Sequence, residues 1–245
     1  MNLPADWIIP EWPAPAHVKA FITTRNGGVS RGSYASFNIG LHTGDDPEAV
    51  KTNRAQLRRY LPQEPKWLDQ QHGTQVVEAE SIERPLPADA SVARQPCTVC
   101  AIMVADCVPV LFTDRAGTLV AASHAGWRGL AGGVLEKTVQ RTRAAPEELL
   151  AYLGPGIGPT AFEVGDEVRE AFVARDAITA GAFMPLRAGK WRADLHRLAR
   201  RALARAGVTA VYGGELCTVS DPMRFYSYRR DRITGRMAAL IWRER

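Results

Sequence analysis

The sequence predicts a single domain of mixed α/β (α+β) class, with a mixed central sheet flanked by helices. Three observations lead there. The chain has 245 residues, 46% hydrophobic and 23% charged, the profile of a globular chain able to bury a sizeable core. Short, almost uninterrupted apolar runs, clearest over residues 97–105, read as strands buried on both faces. Segments with helical spacing are scattered among these runs without regular βαβ alternation, which points to the mixed class. The domain is expected to span 1–245, with 1–16 as an N-terminal arm.

The elements follow in order. Residues 18–24 alternate as a short strand and stop at a turn signal, Arg25-Asn26-Gly27-Gly28. Residues 25–44 are rich in Gly, Ser and Asn and read as a loop. Asp45 and Asp46 before Pro47 mark a helix start, and the helix runs to about residue 60, ahead of Pro62. After the strand at 97–105, further strands are expected at 110–113 and 119–123, joined by a turn at 114–117. A helix is expected over 129–143, a strand over 151–153, and a stiff loop over 154–159. Helices follow at 165–175 and 194–206, the second closed by Gly207, and a last strand at 237–242.

Composition excludes several classes. Four cysteines in 245 residues are too few for a disulfide scaffold. No apolar run approaches the roughly 20 residues of a membrane span, and the N-terminus lacks the basic and apolar regions of a signal peptide. A cytoplasmic, reduced protein is the expectation. Of the 31 lysines and arginines and 26 acids, residues 187–245 hold 14 and 5. A basic C-terminal quarter draws small anions to a cleft or forms a nucleic-acid surface; no recognition motif accompanies it, and nucleic acid is not an expected partner.

Three segments place a metal-binding side chain beside small or turn-forming residues: Gln71-His72-Gly73, Ala105-Asp106-Cys107-Val108-Pro109 and Ser123-His124-Ala125-Gly126-Trp127-Arg128-Gly129. Cys107 and His124 fall just past the ends of apolar runs, where neighbouring strands of one sheet can bring them together, while His72 comes from a distant turn. Two imidazoles and a thiolate suit Zn²⁺ or copper, and three protein ligands leave a position open for water or substrate. Spacing alone leans toward the opposing reading, two packed histidines and a small buried thiol. Cys97 and Cys100 lie three apart on a strand and so face opposite ways; they and Cys217 read as structural thiols. Arg25 and Asn38 are candidates for gripping phosphate or substrate. His42 and Asp106 are candidates for acid–base work. Residues 225–230 interleave aromatics with arginines, either to stack a base or as an ordinary strand.

Taken together, TTRNGGVSRGSYASFNIGLHTGDDPEAVKTNRAQL, QQHGTQVV, ADCVPVLFTD, HAGWRGLAGGV, LGPGIGPTAFEVGDEV and RFYSYRRDRITGRMAALIW resemble the YfiH-like family, also called the multicopper polyphenol oxidoreductase (laccase) or DUF152 family. The resemblance covers residues 23–242. It implies a zinc or copper site at His72, Cys107 and His124. It implies a purine nucleoside phosphorylase acting on adenosine, inosine, guanosine or methylthioadenosine, with adenosine deaminase activity, working as a monomer or small homo-oligomer on small molecules. The family is also linked to a hydrolase that corrects mis-incorporated amino acids in nucleotide-linked muramyl peptides (peptidoglycan editing), and to copper-dependent polyphenol oxidation. Five histidines are too few for several copper centres, so the oxidase ranks last.

Overall fold

The computed structural model describes residues 3–245; of the expected N-terminal arm, residues 1 and 2 lie outside the described residues. Among the described residues the strands are β1 (Val18–Ile22), β2 (Val76–Glu78), β3 (Ala90–Ala93), β4 (Cys100–Val104), β5 (Val108–Asp114), β6 (Val120–Ala125), β7 (Leu149–Leu153), β8 (Glu163–Gly165), β9 (Phe183–Arg187), β10 (Lys190–Ala193), β11 (Ala210–Gly213) and β12 (Met237–Arg243). The α-helices among them are α1 (Pro47–Arg58), α2 (Trp127–Gly132), α3 (Val134–Thr142), α4 (Asp166–Val173), α5 (Leu195–Arg205) and α6 (Tyr228–Asp231). The central sheet is mixed, in the order β11-β7-β5-β6-β3-β2, and two three-stranded sheets, β1-β12-β4 and β8-β10-β9, accompany it. The mixed α/β class with flanking helices is what the structure shows, and no helix among the described residues is long and apolar enough to cross a membrane.

The layering explains the apolar runs. In β12, Met237, Ala239 and Ile241 pack toward the six-stranded sheet. The alternate residues Ala238, Leu240 and Trp242 pack on the opposite face. β4 does the same, with Cys100, Ile102 and Val104 inward and Ala101 and Met103 outward. Both faces are covered, so both sets of alternating side chains must be apolar. On the far side of the six-stranded sheet, Val110, Phe112 and Ala121 meet Leu135 and Val139 of α3 and Leu198 of α5. The arm is tied down: Trp7 stacks on Phe21 at 4.8 Å, and Ile8 exchanges backbone hydrogen bonds with Ile22.

Local chemistry sets the boundaries. Asp46 caps α1 by accepting the Glu48 N–H, with Pro47 in the first turn, and Asp194 caps α5 by accepting from Arg197. The strand expected over 97–105 begins at Cys100, because Cys97 sits in a turn at φ 66°. The single helix expected over 129–143 is two, since Gly133 at φ +96° ends α2 before α3 starts, a conformation only glycine adopts freely. Residues 225–230 are not a strand: Phe225 and Tyr226 are buried, and α6 begins at Tyr228. Short strands β2, β3 and β8 to β11 carry too few residues to show periodicity.

Candidate metal centre

Three elements deliver the donors. His124 is the second-to-last residue of β6, paired with Pro109 of β5. It shares a strand face with Val120 and Ala122, which pack into the layer between the two sheets. Ser123 points the other way and meets Thr138 of α3 at 2.7 Å. Cys107 lies on the crossover between β4, in the three-stranded sheet, and β5, in the six-stranded one. Cys107 directly precedes Val108, and Val108 and Pro109 pair with Ala125 and His124, so the β5–β6 register within the six-stranded sheet sets Cys107 beside His124, while the strand expected over 97–105 lies in the other sheet. His124 itself belongs to its strand instead of following it. His72 sits on a turn at φ 57°, exposed to solvent. The ligand atoms of His72, Cys107 and His124 all lie within 4.8 Å of one another.

One carboxylate organises the histidines. Asp89 Oδ1 meets His124 Nδ1 at 2.9 Å and accepts the His72 N–H at 2.9 Å. Its Oδ2 accepts the N–H groups of Gly73 at 2.6 Å and Gln71 at 3.2 Å. The buried carboxylate is thereby satisfied, and the His72 turn is pinned to the strand bearing His124. The Gln70 side chain adds a second anchor: its amide donates to the Met103 carbonyl and accepts the Met103 N–H, both at 2.8 Å. Close packing demands glycine on the other side. A Cβ on Gly126 would lie 2.9 Å from Cys107 Sγ and 3.0 Å from His72 Cδ2, and one on Gly129 would lie 2.6 Å from the Gly73 carbonyl oxygen.

Electrostatics favour a thiolate here. Burial would raise the Cys107 pKa, but His124 and His72 beside it outweigh that and hold it well below the ordinary thiol value. Burial would lower the His124 pKa, but Cys107 and Asp89 raise it. The other cysteines differ: burial pushes Cys100 up to about 12, while Cys217 Sγ accepts the Gly158 N–H at 3.2 Å and its pKa is lowered by bonds to Ser220 and Gly158 that outweigh burial.

The donors open onto a cavity of about 610 Å³, which His42, Asp106, Tyr228 and Arg229 also line. Burial, then Arg236 and Arg54, lower the His42 pKa against the pull of Asp69. Asp106, at φ 95°, uses both oxygens: Oδ1 accepts from Thr218 Oγ1 and Oδ2 from the Arg229 N–H, each at 2.6 Å. Arg25 and Asn38 are not brought to the cavity. Arg25 donates to the carbonyls of Ala35 and Pro222 and lies over the Tyr226 ring. Asn38, fully buried, donates to Thr43 and Asp45 and accepts the N–H groups of Gly40 and Arg236. Sequence reasoning missed Asp89, Arg236 and the bridging role of Gln70. Nothing in the local pattern marks Asp89, whose meaning lies wholly in its partners.

The sequence pattern of the family described as multi-copper polyphenol oxidoreductase laccase matches residues 19–244. The chain is 56% identical to a purine nucleoside phosphorylase of Pseudomonas aeruginosa, with 96% of this chain and 98% of that one aligned. It is 52% identical to purine nucleoside phosphorylase YfiH of Escherichia coli over the same shares. The crystal structure of a DUF152 protein of Neisseria meningitidis is similar at a TM-score of 0.95 and 53% identity, covering 98% of this chain and all of that one. That of YlmD from Geobacillus stearothermophilus is similar at 0.89 and 32%, covering 100% and 98%.

Proposed function

Because the chain belongs to the multi-copper polyphenol oxidoreductase laccase family, and relatives 45–56% identical over nearly their whole length are named purine nucleoside phosphorylases, we propose that it is a metal-dependent purine nucleoside phosphorylase that also deaminates adenosine. Its substrates are adenosine, inosine, guanosine and methylthioadenosine. It works in the cytoplasm as a monomer or small homo-oligomer. The observation that carries the reading is the convergence of His72, Cys107 and His124 on one cavity, of a size typical for small-molecule sites.

The donor set fits Zn²⁺, with Cu²⁺ as the alternative: one sulfur and two imidazole nitrogens, with the sulfur already favoured as thiolate. Bound there, the ion supplies Lewis acidity, polarising a substrate atom or acidifying water. Asp89 holds His124 through Nδ1 and so leaves Nε2 for the metal, the usual carboxylate–histidine arrangement. His42, which lines the cavity, is placed to exchange a proton with the substrate. Tyr228, half-exposed at the cavity, offers an aromatic face to a purine. Asp106 positions the backbone of Arg229. A single three-donor group among the described residues and five histidines in the chain suit one centre, not the several that a multicopper oxidase needs.

The test is to incubate metal-replete protein with adenosine, with and without phosphate, and to follow adenine, inosine and hypoxanthine. Phosphate-dependent release of adenine is expected, and formation of inosine reports deamination. Absence of phosphate-dependent base release from every purine nucleoside would overturn the phosphorylase reading.

A further inference from the structure

Three guanidinium groups, those of Arg128, Arg229 and Arg236, face the cavity that holds the three donors. They are not equivalent. Arg229, like Arg236, gives its Nη1 to two carbonyls, those of Glu163 at 2.9 Å and Ala161 at 3.4 Å, but its guanidinium is taken up by the Phe162 ring, 5.2 Å away. Arg128 lies exposed against its neighbour Trp127. Arg236 is half-buried and fixed from both ends. Its backbone N–H donates to Asn38 Oδ1 at 2.8 Å, and Nη1 donates to the carbonyls of Thr234 and Gly235 at 3.1 and 3.0 Å. Its stem lies so close to Gly40 that a Cβ there would be 2.9 Å from the Arg236 Cγ.

These contacts leave Nε and Nη2 of Arg236 without an acceptor among the described residues. Burial already disfavours the charge enough to lower its pKa, against the pull of Cys107 and Asp106. The Asp106 carboxylate is committed to Thr218 and Arg229, and the remaining carboxylate at the cavity, Asp69, is exposed. An arginine cannot shed its proton to relieve such a position. A guanidinium held rigid, partly desolvated and short of an anion is a ready receptor for a planar or tetrahedral oxyanion, which it grips through two N–H groups at once.

We infer that Arg236 is the anchor for a phosphate group in this cavity, with Arg128 as its exposed partner, and that Asn38 acts by holding Arg236 in place. The inference rests on the phosphorylase reading for its biological sense. The phosphate has two possible sources, free inorganic phosphate as cosubstrate or a phosphate carried by a nucleotide, and the same receptor serves either.

Binding decides it independently of turnover. Inorganic phosphate is titrated calorimetrically into the metal-replete wild type, Arg236→Gln, Arg236→Lys and Arg25→Gln, in the presence and absence of inosine. Arg236→Gln is expected to weaken phosphate at least tenfold. Arg236→Lys should recover part of the loss, because charge returns without the fork. Arg25→Gln, away from the cavity, should bind as the wild type does. In phosphorolysis, Arg236→Gln should raise the KM for phosphate at least tenfold and move the KM for inosine less than twofold. Tighter phosphate binding with inosine present identifies the cosubstrate. Tighter binding of uridine diphosphate or inosine monophosphate than of phosphate plus inosine identifies a nucleotide; either result supports the anchor. Unchanged phosphate and nucleotide binding in a folded Arg236→Gln protein would overturn it. If no nucleoside is turned over at all, the phosphorylase reading fails while the titration still decides the role of Arg236.

Discussion

His124 and His72 offer the same side chain to the same point from opposite kinds of structure. His124 stands in a central strand, 3% exposed, its backbone fixed by the β5–β6 register and its ring by Asp89. His72 stands on an exposed turn in the left-handed region, and what holds it is borrowed: three N–H groups on Asp89 and the Gln70 clasp on Met103. The difference teaches that one donor comes with the fold, whereas the other is added by a turn whose position depends on a single carboxylate.

The comparison breaks most decisively on stability. His124→Ala is expected to abolish metal binding and to cost about 3 kcal/mol of unfolding free energy, since it strips a buried carboxylate of its ring partner. His72→Asn, which tolerates the same backbone angle, is expected to lose metal equally but to change stability by under ~0.5 kcal/mol. Chemical denaturation of metal-free proteins checks both. Equal losses would show that the turn is as integral to the fold as the strand.

Asp89→Asn tests the link between the two. An amide presents donors where the carboxylate accepted from four groups, so one side of the bridge must be broken. A ten- to hundredfold weaker metal affinity is expected, measured by competition with a chelator of known strength, along with faster hydrogen exchange confined to the amides of Gln71, His72 and Gly73. Affinity unchanged from wild type would mean that the donors find each other without the carboxylate.

His196 sharpens the contrast at the smallest scale. It is buried like His124, but its Nε2 has only the Gly154 carbonyl, at 3.2 Å, and burial lowers its pKa despite that bond. The unfolded chain therefore binds the proton first as pH falls. The contribution of His196 to stability is full above about 6.5 and declines as pH drops from there toward the lowered folded value. His196→Gln should flatten that part of the stability–pH curve by roughly 1 kcal/mol or less, visible in urea unfolding at pH 7.5 and 5.5. An unaltered slope would show that the ring carries its proton when folded.

The contrast also explains what could be read from the sequence. β4, β5, β6 and β12 were legible because both faces of each are covered, which leaves long apolar runs. α1 and α5 were legible from their caps. The donors were legible because each sits in a distinctive short segment. Asp89 was not, because it looks like any acid before a strand until its four partners assemble. Arg25 and Arg236 were not distinguishable, because an arginine's task depends on where the fold carries it: Arg25 lies over the Tyr226 ring, away from the cavity, while Arg236 lines it. Gly133 looked like a residue inside one long helix, since apolar spacing continues across it on both sides.

Cys107 rides on the strap between two sheets, whereas His124 is embedded in only one of them. The gap between sulfur and imidazole is thus a caliper hinged on the β5–β6 register, since Cys107 directly precedes Val108, the partner of Ala125, and trimmed where the strap leaves that sheet by filler side chains such as Ile102, Leu111, Ala122 and Met237. A methylene added or removed in that filling, out of reach of any substrate, would be read out at the jaws as a change in which ion fits and how tightly it is gripped.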